Sequence, residues 1–196
     1  MRRTLHLLAA LVVGAVSSAS AQLLLARRAD TPTNPYGLLV HVSGLLDDKE
    51  WSDHLNKGYT VQLHWFVQLW HPGRLGLGGA QSPTEWDTEV QAQITLGSYI
   101  YTTKVPGQVD DRRTFSTLDS LNAWISTDVP LQFPARRLES GEWYYVVRVD
   151  VAALTPEELD NRVNGGGSIA SFLSNLVARG KRQTLTHSRI YFTVPR

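Results

Sequence analysis

The chain has 196 residues, enough for one domain with a real core. With 42% hydrophobic and 19% charged residues it lacks the composition of a disordered chain, and without cysteine it excludes a disulfide framework, a thiolate metal site and lipoprotein acylation. A formal charge of +1 gives no electrostatic footing for nucleic acid.

Met1-Arg2-Arg3 is a basic start, Leu5 to Val16 an apolar run, and Ala19-Ser20-Ala21 an A-x-A site before Gln22. That is the pattern of a secretory signal peptide over residues 1–21, cleaved after Ala21, and it predicts a periplasmic or secreted protein. Losing two arginines and no acid leaves 17 basic against 18 acidic residues, a charge of −1. The alternative is an uncleaved anchor: nothing from Thr4 to Ala26 is charged, a length that just spans a bilayer. A membrane enters the reading only in that case. Residues 22–36, with Arg27, Arg28, Asp30, Pro32, Asn34 and Pro35, read as a flexible leader to a single domain over 37–196.

Leu38 to Ser43 reads as a first strand ending at Gly44, and Asp47 to Glu50 as the start of a short helix carrying Trp51 and Leu55 and closed by Gly58. Tyr59 to His71 is the dominant stretch. Tyr59, Val61, Leu63, Trp65, Val67 and Leu69 fall on one face of an extended chain, and Thr60, Gln62, His64 and Gln68 on the other, as in a long half-buried strand. After a glycine-rich loop from Pro72 to Pro83, alternation from Trp86 to Leu96 predicts an antiparallel partner, and Gly97 turns it into a strand over Ser98–Lys104. Pro106 to Arg113 reads as loop, Ser116 to Asp119 as a capping box before a helix carrying Leu121 and Ile125, and Pro130 to Pro134 as an extended edge. Trp143, Tyr145, Val147, Val149 and Val151 share one face of another long strand, and Thr155-Pro156-Glu157-Glu158 starts a third helix. A helix over Ser168–Arg179 and a closing strand over Thr186–Val194 complete the chain. The expectation is a mainly β fold: an antiparallel β-sandwich, immunoglobulin-like or similar, with three to four short helices in its connections.

Four motifs, in order, resemble a bacterial exported family known as a domain of unknown function, number forty-three ninety. They are Leu55-x-x-Gly58, Phe115-Ser116-Thr117-Leu118-x-x-Leu121, Leu138-x-x-Gly141-x-Trp143-Tyr144-Tyr145, and Leu154 to Leu159. The resemblance covers about residues 38–165 and stops short of the last helix and strand. It implies an exported, non-catalytic protein, often encoded beside two-component sensor systems, and it supplies no catalytic residues.

No constellation demands chemistry. His64 and His71 are seven apart on a strand and face opposite sides, and His41, His54 and His187 lie on separate elements, so no metal is expected. Gly166-Gly167-Ser168-Ile169-Ala170 approaches a nucleophile elbow, but a helix precedes it, so Ser168 reads as an N-cap. Gly165 to Gly167 read as a linker and Gly73 to Gly79, without Gly-Lys-Ser/Thr, as an exposed loop rather than anion sites. The pairs Asp47-Asp48, Asp110-Asp111 and Glu157-Glu158 read as structural. Aromatic residues stand out instead. Phe66 and Trp70 break the polar face of their strand and Tyr144 does so on its own, marking a candidate partner-binding surface unless the 169–177 helix covers them. The leading expectation is a non-catalytic envelope domain that binds a protein partner, accessory to a signalling or transport system, with no cofactor. The alternatives are a small-molecule or lipid-binding β domain and, behind it, a hydrolase built from dispersed His and Asp residues.

Overall fold

The computed structural model describes residues 22–32, 35–72, 78–131, 138–164 and 182–195, with backbone alone for 161–164. Eleven strands and three short helices occupy them. In chain order they are β1 (Leu23–Arg28), β2 (Leu38–Ser43), α1 (Lys49–Asn56), β3 (Thr60–His71), β4 (Gly79–Ala80), β5 (Thr84–Gln93), β6 (Ser98–Thr103), β7 (Asp111–Phe115), α2 (Leu118–Ile125), β8 (Val129–Leu131), β9 (Gly141–Leu154), α3 (Pro156–Asn164), β10 (Arg182–Thr186) and β11 (Ile190–Val194). The fold is mainly β and sandwich-like, as expected.

The large sheet runs β10-β9-β3-β5-β6-β7, with β11 also on β9 and β4 also on β3; the small sheet runs β1-β2-β8. All pairings are antiparallel. At the centre, β3 pairs with β9 from Thr60↔Leu154 to Trp70↔Tyr144 and with β5 from Val61↔Val90 to Val67↔Thr84. The inner face carries Val61, Leu63, Trp65, Val67 and Leu69 from β3, and Trp143, Tyr145, Val147, Val149 and Val151 from β9. Leu24, Leu38, Val40 and Val42 of the small sheet, Trp51 and Leu55 of α1, and Leu121 and Ile125 of α2 close the core from the other side. Trp65 and Trp86 stack across the strands at 5.2 Å with planes 4° apart, and Trp65 Nε1 donates to Thr88 Oγ1 at 3.2 Å.

Several sequence expectations are corrected. Residues 23–28 are not a flexible leader: they form β1, antiparallel to β2 from Leu23↔Ser43 to Arg28↔Leu38. Leu23–Ala26, counted above in an uncleaved anchor, are therefore strand residues, and no helix among the described residues is long and apolar enough to cross a membrane. The Trp86–Leu96 strand ends at Gln93. Ile94–Leu96 form a 3-10 turn with Ile94 and Leu96 exposed, and Gly97 at φ 61° turns the chain into β6. Residues 111–113, read as the end of a loop, instead begin edge strand β7, whose charged side chains hide it from a hydrophobic pattern. Two caps lie one residue later than expected: Asp48 accepts from Glu50 N, and Thr117 from Ser120 N. Thr155 and Glu158 form the expected reciprocal capping box, at 2.8 and 3.2 Å. The expected helix at 168–179 lies outside the described residues.

The closing strand is two strands. In β10, Thr186 faces Arg148; in β11, Ile190 faces Tyr145. Residues 187–189 thus stand opposite only Val146 and Val147, a one-residue bulge in which His187 N donates to Val147 O at 3.1 Å. Even-numbered residues face outward in β10, and odd-numbered ones in β11.

The small sheet is tied at its rim, and one hydrogen bond reaches from the large sheet to the chain before β2. Asp128, just before β8, accepts from Arg27 Nη2 of β1 at 2.6 Å and lies 2.8 Å from His41 Nδ1 of β2. The hydrogen bond from Arg27 holds the Asp128 carboxyl below its usual range, with His41 adding to it. Tyr145 Oη donates to the Tyr36 carbonyl at 2.6 Å across the core, and burial pushes its hydroxyl pKa well up.

Trp65, 3% exposed, and half-buried Phe66 point to opposite faces. Trp65→Ala is expected to destabilise by ~3–5 kcal/mol and Phe66→Ala by only about 1 kcal/mol, measured by denaturant titration; equal losses would overturn the face assignment. Because the folded-state carboxyl of Asp128 is depressed, its contribution is present above the ordinary carboxylate range and is lost as pH falls through that range toward the lowered folded value. Thermal melts of Asp128→Asn across acid pH should show a shallower loss of stability than the parent.

Candidate functional site

The outer face of the large sheet has two dissimilar ends, separated by a few residues of β3. Toward its start, Thr60, Gln62 and His64 of β3 and Asp150 and Ala152 of β9 are buried although they point away from the core. This corrects the half-buried reading of Tyr59–His71: the first half of β3 is enclosed on both faces. Register sets Asp150 opposite His64 on one side and Thr184 on the other, and His64 opposite Asp87, so four polar side chains form one row across β10, β9, β3 and β5.

The Asp150 side chain has no solvent exposure. Its Oδ1 accepts from Thr184 Oγ1 at 2.5 Å and pairs with Arg182 Nη2 at 2.7 Å, and its Oδ2 lies 3.4 Å from Arg148 Nε. A buried carboxylate is tolerated when hydrogen bonds and cations compensate its desolvation, and both are supplied here by the neighbouring strand. His64 places Nδ1 3.0 Å from Asp87 Oδ1 and Nε2 3.6 Å from Glu85 Oε2. Both ring nitrogens thus face carboxylates. A serine-type triad needs one nitrogen on a carboxylate and the other on a nucleophilic hydroxyl, so this geometry orders the sheet rather than activating a nucleophile.

At the other end lie the three residues singled out from sequence. Trp70 and Tyr144 are opposite one another on β3 and β9, with rings 6.4 Å apart and planes within 6°. Tyr191 of β11 continues the row, 5.3 Å from Tyr144 and 53% exposed. Arg189 lies 4.7 Å above the Tyr144 ring and hydrogen-bonds Tyr191, which raises the guanidinium pKa further. Trp70 Nε1 donates to Gln68 Oε1 at 2.9 Å, and Gln68 Nε2 to the Gln81 carbonyl at 3.0 Å, so the indole is oriented from its own strand. Phe66 stands apart from this row, beneath the Arg148 guanidinium at 4.8 Å. The structure thus joins Trp70 to Tyr144, sets Phe66 on the cationic boundary between the two ends, and adds Tyr191 and Arg189. Whether the 169–177 helix covers them lies outside the described residues.

The remaining polar candidates sit where structure uses them. Asp48 caps α1, Asp47 accepts from Asn122 Nδ2 of α2 at 2.7 Å, Asp110 pairs with Lys104 at 3.3 Å, and Asp111 with Arg113 at 2.9 Å. His54 stacks on Tyr59 at 5.3 Å, His71 lies 4.7 Å from the Trp143 ring, and His187 Nδ1 is 2.6 Å from the Ser188 carbonyl. Gly141, at φ 141°, permits the His71 contact, since a Cβ there would fall 2.9 Å from Nε2. Among the described residues no three His, Asp or Glu groups converge as metal ligands. Ser168 and the glycines at 73–77 and 165–167 lie outside the described residues.

Comparison of the chain with family models, curated proteins and solved structures finds no match.

Removing the buried carboxylate takes a hydrogen-bond acceptor from Thr184 and Arg182: Asp150→Ala is expected to destabilise by ~1–3 kcal/mol, whereas Asp110→Ala, in an exposed pair, should change stability by less than about 0.5 kcal/mol. Urea titration of the two variants checks both.

Proposed function

We propose that this protein is a non-catalytic exported domain of the cell envelope that recognises a protein partner through the outer-face row Trp70–Tyr144–Tyr191, with Phe66 at its margin. The row itself carries the reading: three aromatic side chains from three strands, half-buried to exposed, with an arginine stacked on the central one. Tryptophan, tyrosine and arginine are the residue types that dominate binding energy at protein interfaces, because each offers a large rigid surface with a polar handle. A β-sheet holds them in fixed register, so little conformational entropy is lost on binding. The leader-like residues 1–21 support export, and the four motifs noted above support kinship with the exported family of unknown function. His64, held between two carboxylates, supports the absence of a hydrolytic centre.

A photoreactive amino acid replacing Trp70, in cells that make the protein, tests it. Irradiation should give one discrete adduct in the envelope fraction, and adding Tyr144→Ala should reduce its yield by about tenfold or more, as for loss of an interface anchor. The same probe at Val109, which is exposed on a loop far along the chain, should give none. An identical adduct from both positions, or no adduct from Trp70, would remove the proposal.

A further inference from the structure

We propose that the outer edge of β11 is a self-pairing seam, through which two copies of this chain join their large sheets into one continuous antiparallel sheet. The observation is a contrast between edges. An open strand edge presents unpaired N–H and C=O groups and invites further pairing unless charge, proline or shortness blunts it. Among the described edge strands, β7 carries Asp111, Arg112 and Arg113, β1 carries Arg27 and Arg28, β8 carries Pro130, β10 carries Arg182, and β4 has two residues. Strand β11, Ile190-Tyr191-Phe192-Thr193-Val194, has none of these devices. It pairs with β9 on one side, and among the described residues no strand pairs with its other side.

The occupant follows from the strand's own symmetry. An antiparallel pair of identical strands has a two-fold axis, here through Phe192, so that residue i meets the residue whose number completes the same sum. Ile190 then lies opposite the partner subunit's Val194, and Tyr191 opposite the partner subunit's Thr193. Ile190, Phe192 and Val194 already share the inner face, and Tyr191 and Thr193 the outer one. Apolar residues therefore meet apolar residues on the core side, and aromatic meets β-branched outside. These are favourable cross-strand pairs, and no like charges are opposed. The seam also extends the row Trp70–Tyr144–Tyr191 across the axis. This inference does not depend on the proposed partner, and it concerns an edge rather than a face.

Sedimentation equilibrium on the protein purified after expression of the full chain tests it. The parent is expected to show a monomer–dimer equilibrium. Tyr191→Lys with Thr193→Lys places lysines opposite lysines twice and should weaken the dimer by about tenfold or more. Tyr191→Lys with Thr193→Glu places lysine opposite glutamate and should restore it. Because the chain lacks cysteine, a further readout survives any loss of folding in those variants: mixed Tyr191→Cys and Thr193→Cys chains should oxidise to the hetero-disulfide in preference to either homo-disulfide. A parent that sediments as a monomer at every concentration, a lysine double variant as dimeric as the parent, or no excess of mixed disulfide would overturn the seam.

Discussion

The pairing of β3 with β9 is the constraint from which the rest of this structure follows. Each strand is long, each turns an unbroken apolar series to the core, and the register runs from Thr60↔Leu154 to Trp70↔Tyr144. Because side chains alternate with a period of two, a slip of one residue would exchange the faces of a whole strand. On β9 it would bring Asp150 and Arg148 into the core and Val149 and Val151 out of it. No repacking compensates an error of that size, so the register is fixed, and everything added later inherits it: β5 on one flank, β10 and β11 on the other. The meetings of Trp70 with Tyr144 and of His64 with Asp150 are consequences of that one alignment.

The enclosed polar row reinforces the same alignment from the opposite face. Burying a carboxylate is unfavourable unless its partners arrive in the correct positions. The Oδ1 atom of Asp150 finds its partners only when Thr184 and Arg182 of β10 stand beside it. A hydrophobic residue there would tolerate several registers; a buried aspartate tolerates one. The row therefore acts as a specificity device for strand order. The contrast with the other end is then intelligible: where the sheet needs no further alignment, its outer face carries aromatic surface.

Much of this architecture is legible in the sequence because burial on one face writes a period-two pattern. Strands β3, β5, β6 and β9 announce themselves in that way. Strands β1 and β7 do not: Arg27 and Arg28 in the first, and Asp111 to Arg113 in the second, belong to edges whose backbone pairing is independent of side-chain polarity. Ile94 and Leu96 mislead for the opposite reason, since they continue an apolar alternation beyond the point where Gly97 turns the chain and leave it in solvent. The double burial of Thr60, Gln62 and His64 is invisible because polar residues satisfied within a sheet look the same in sequence as polar residues in water. Phe66, Trp70 and Tyr144 are found by parity alone, whereas the guanidinium groups over Phe66 and Tyr144 belong to tertiary structure.

The face that Tyr191 takes depends on the break between β10 and β11. Read as one strand from Thr186 to Val194, the segment assigns even positions to one face throughout. On β10 the outward residues are Thr184 and Thr186, so Tyr191 would point inward and Phe192 outward. The extra residue in 187–189 reverses this. It turns Ile190, Phe192 and Val194 to the core, where Phe192 packs 5.2 Å from Tyr145 and 5.6 Å from Tyr36, and swings Tyr191 beside Tyr144. If the same residues paired regularly through 187–189 without the bulge, Tyr191 would meet Trp143 and Phe192 would meet Glu142, exchanging those two rings and so burying a phenol hydroxyl and exposing a phenyl group. The bulge is therefore the local feature that decides what the outer face displays at this edge, although no residue within it belongs to a core.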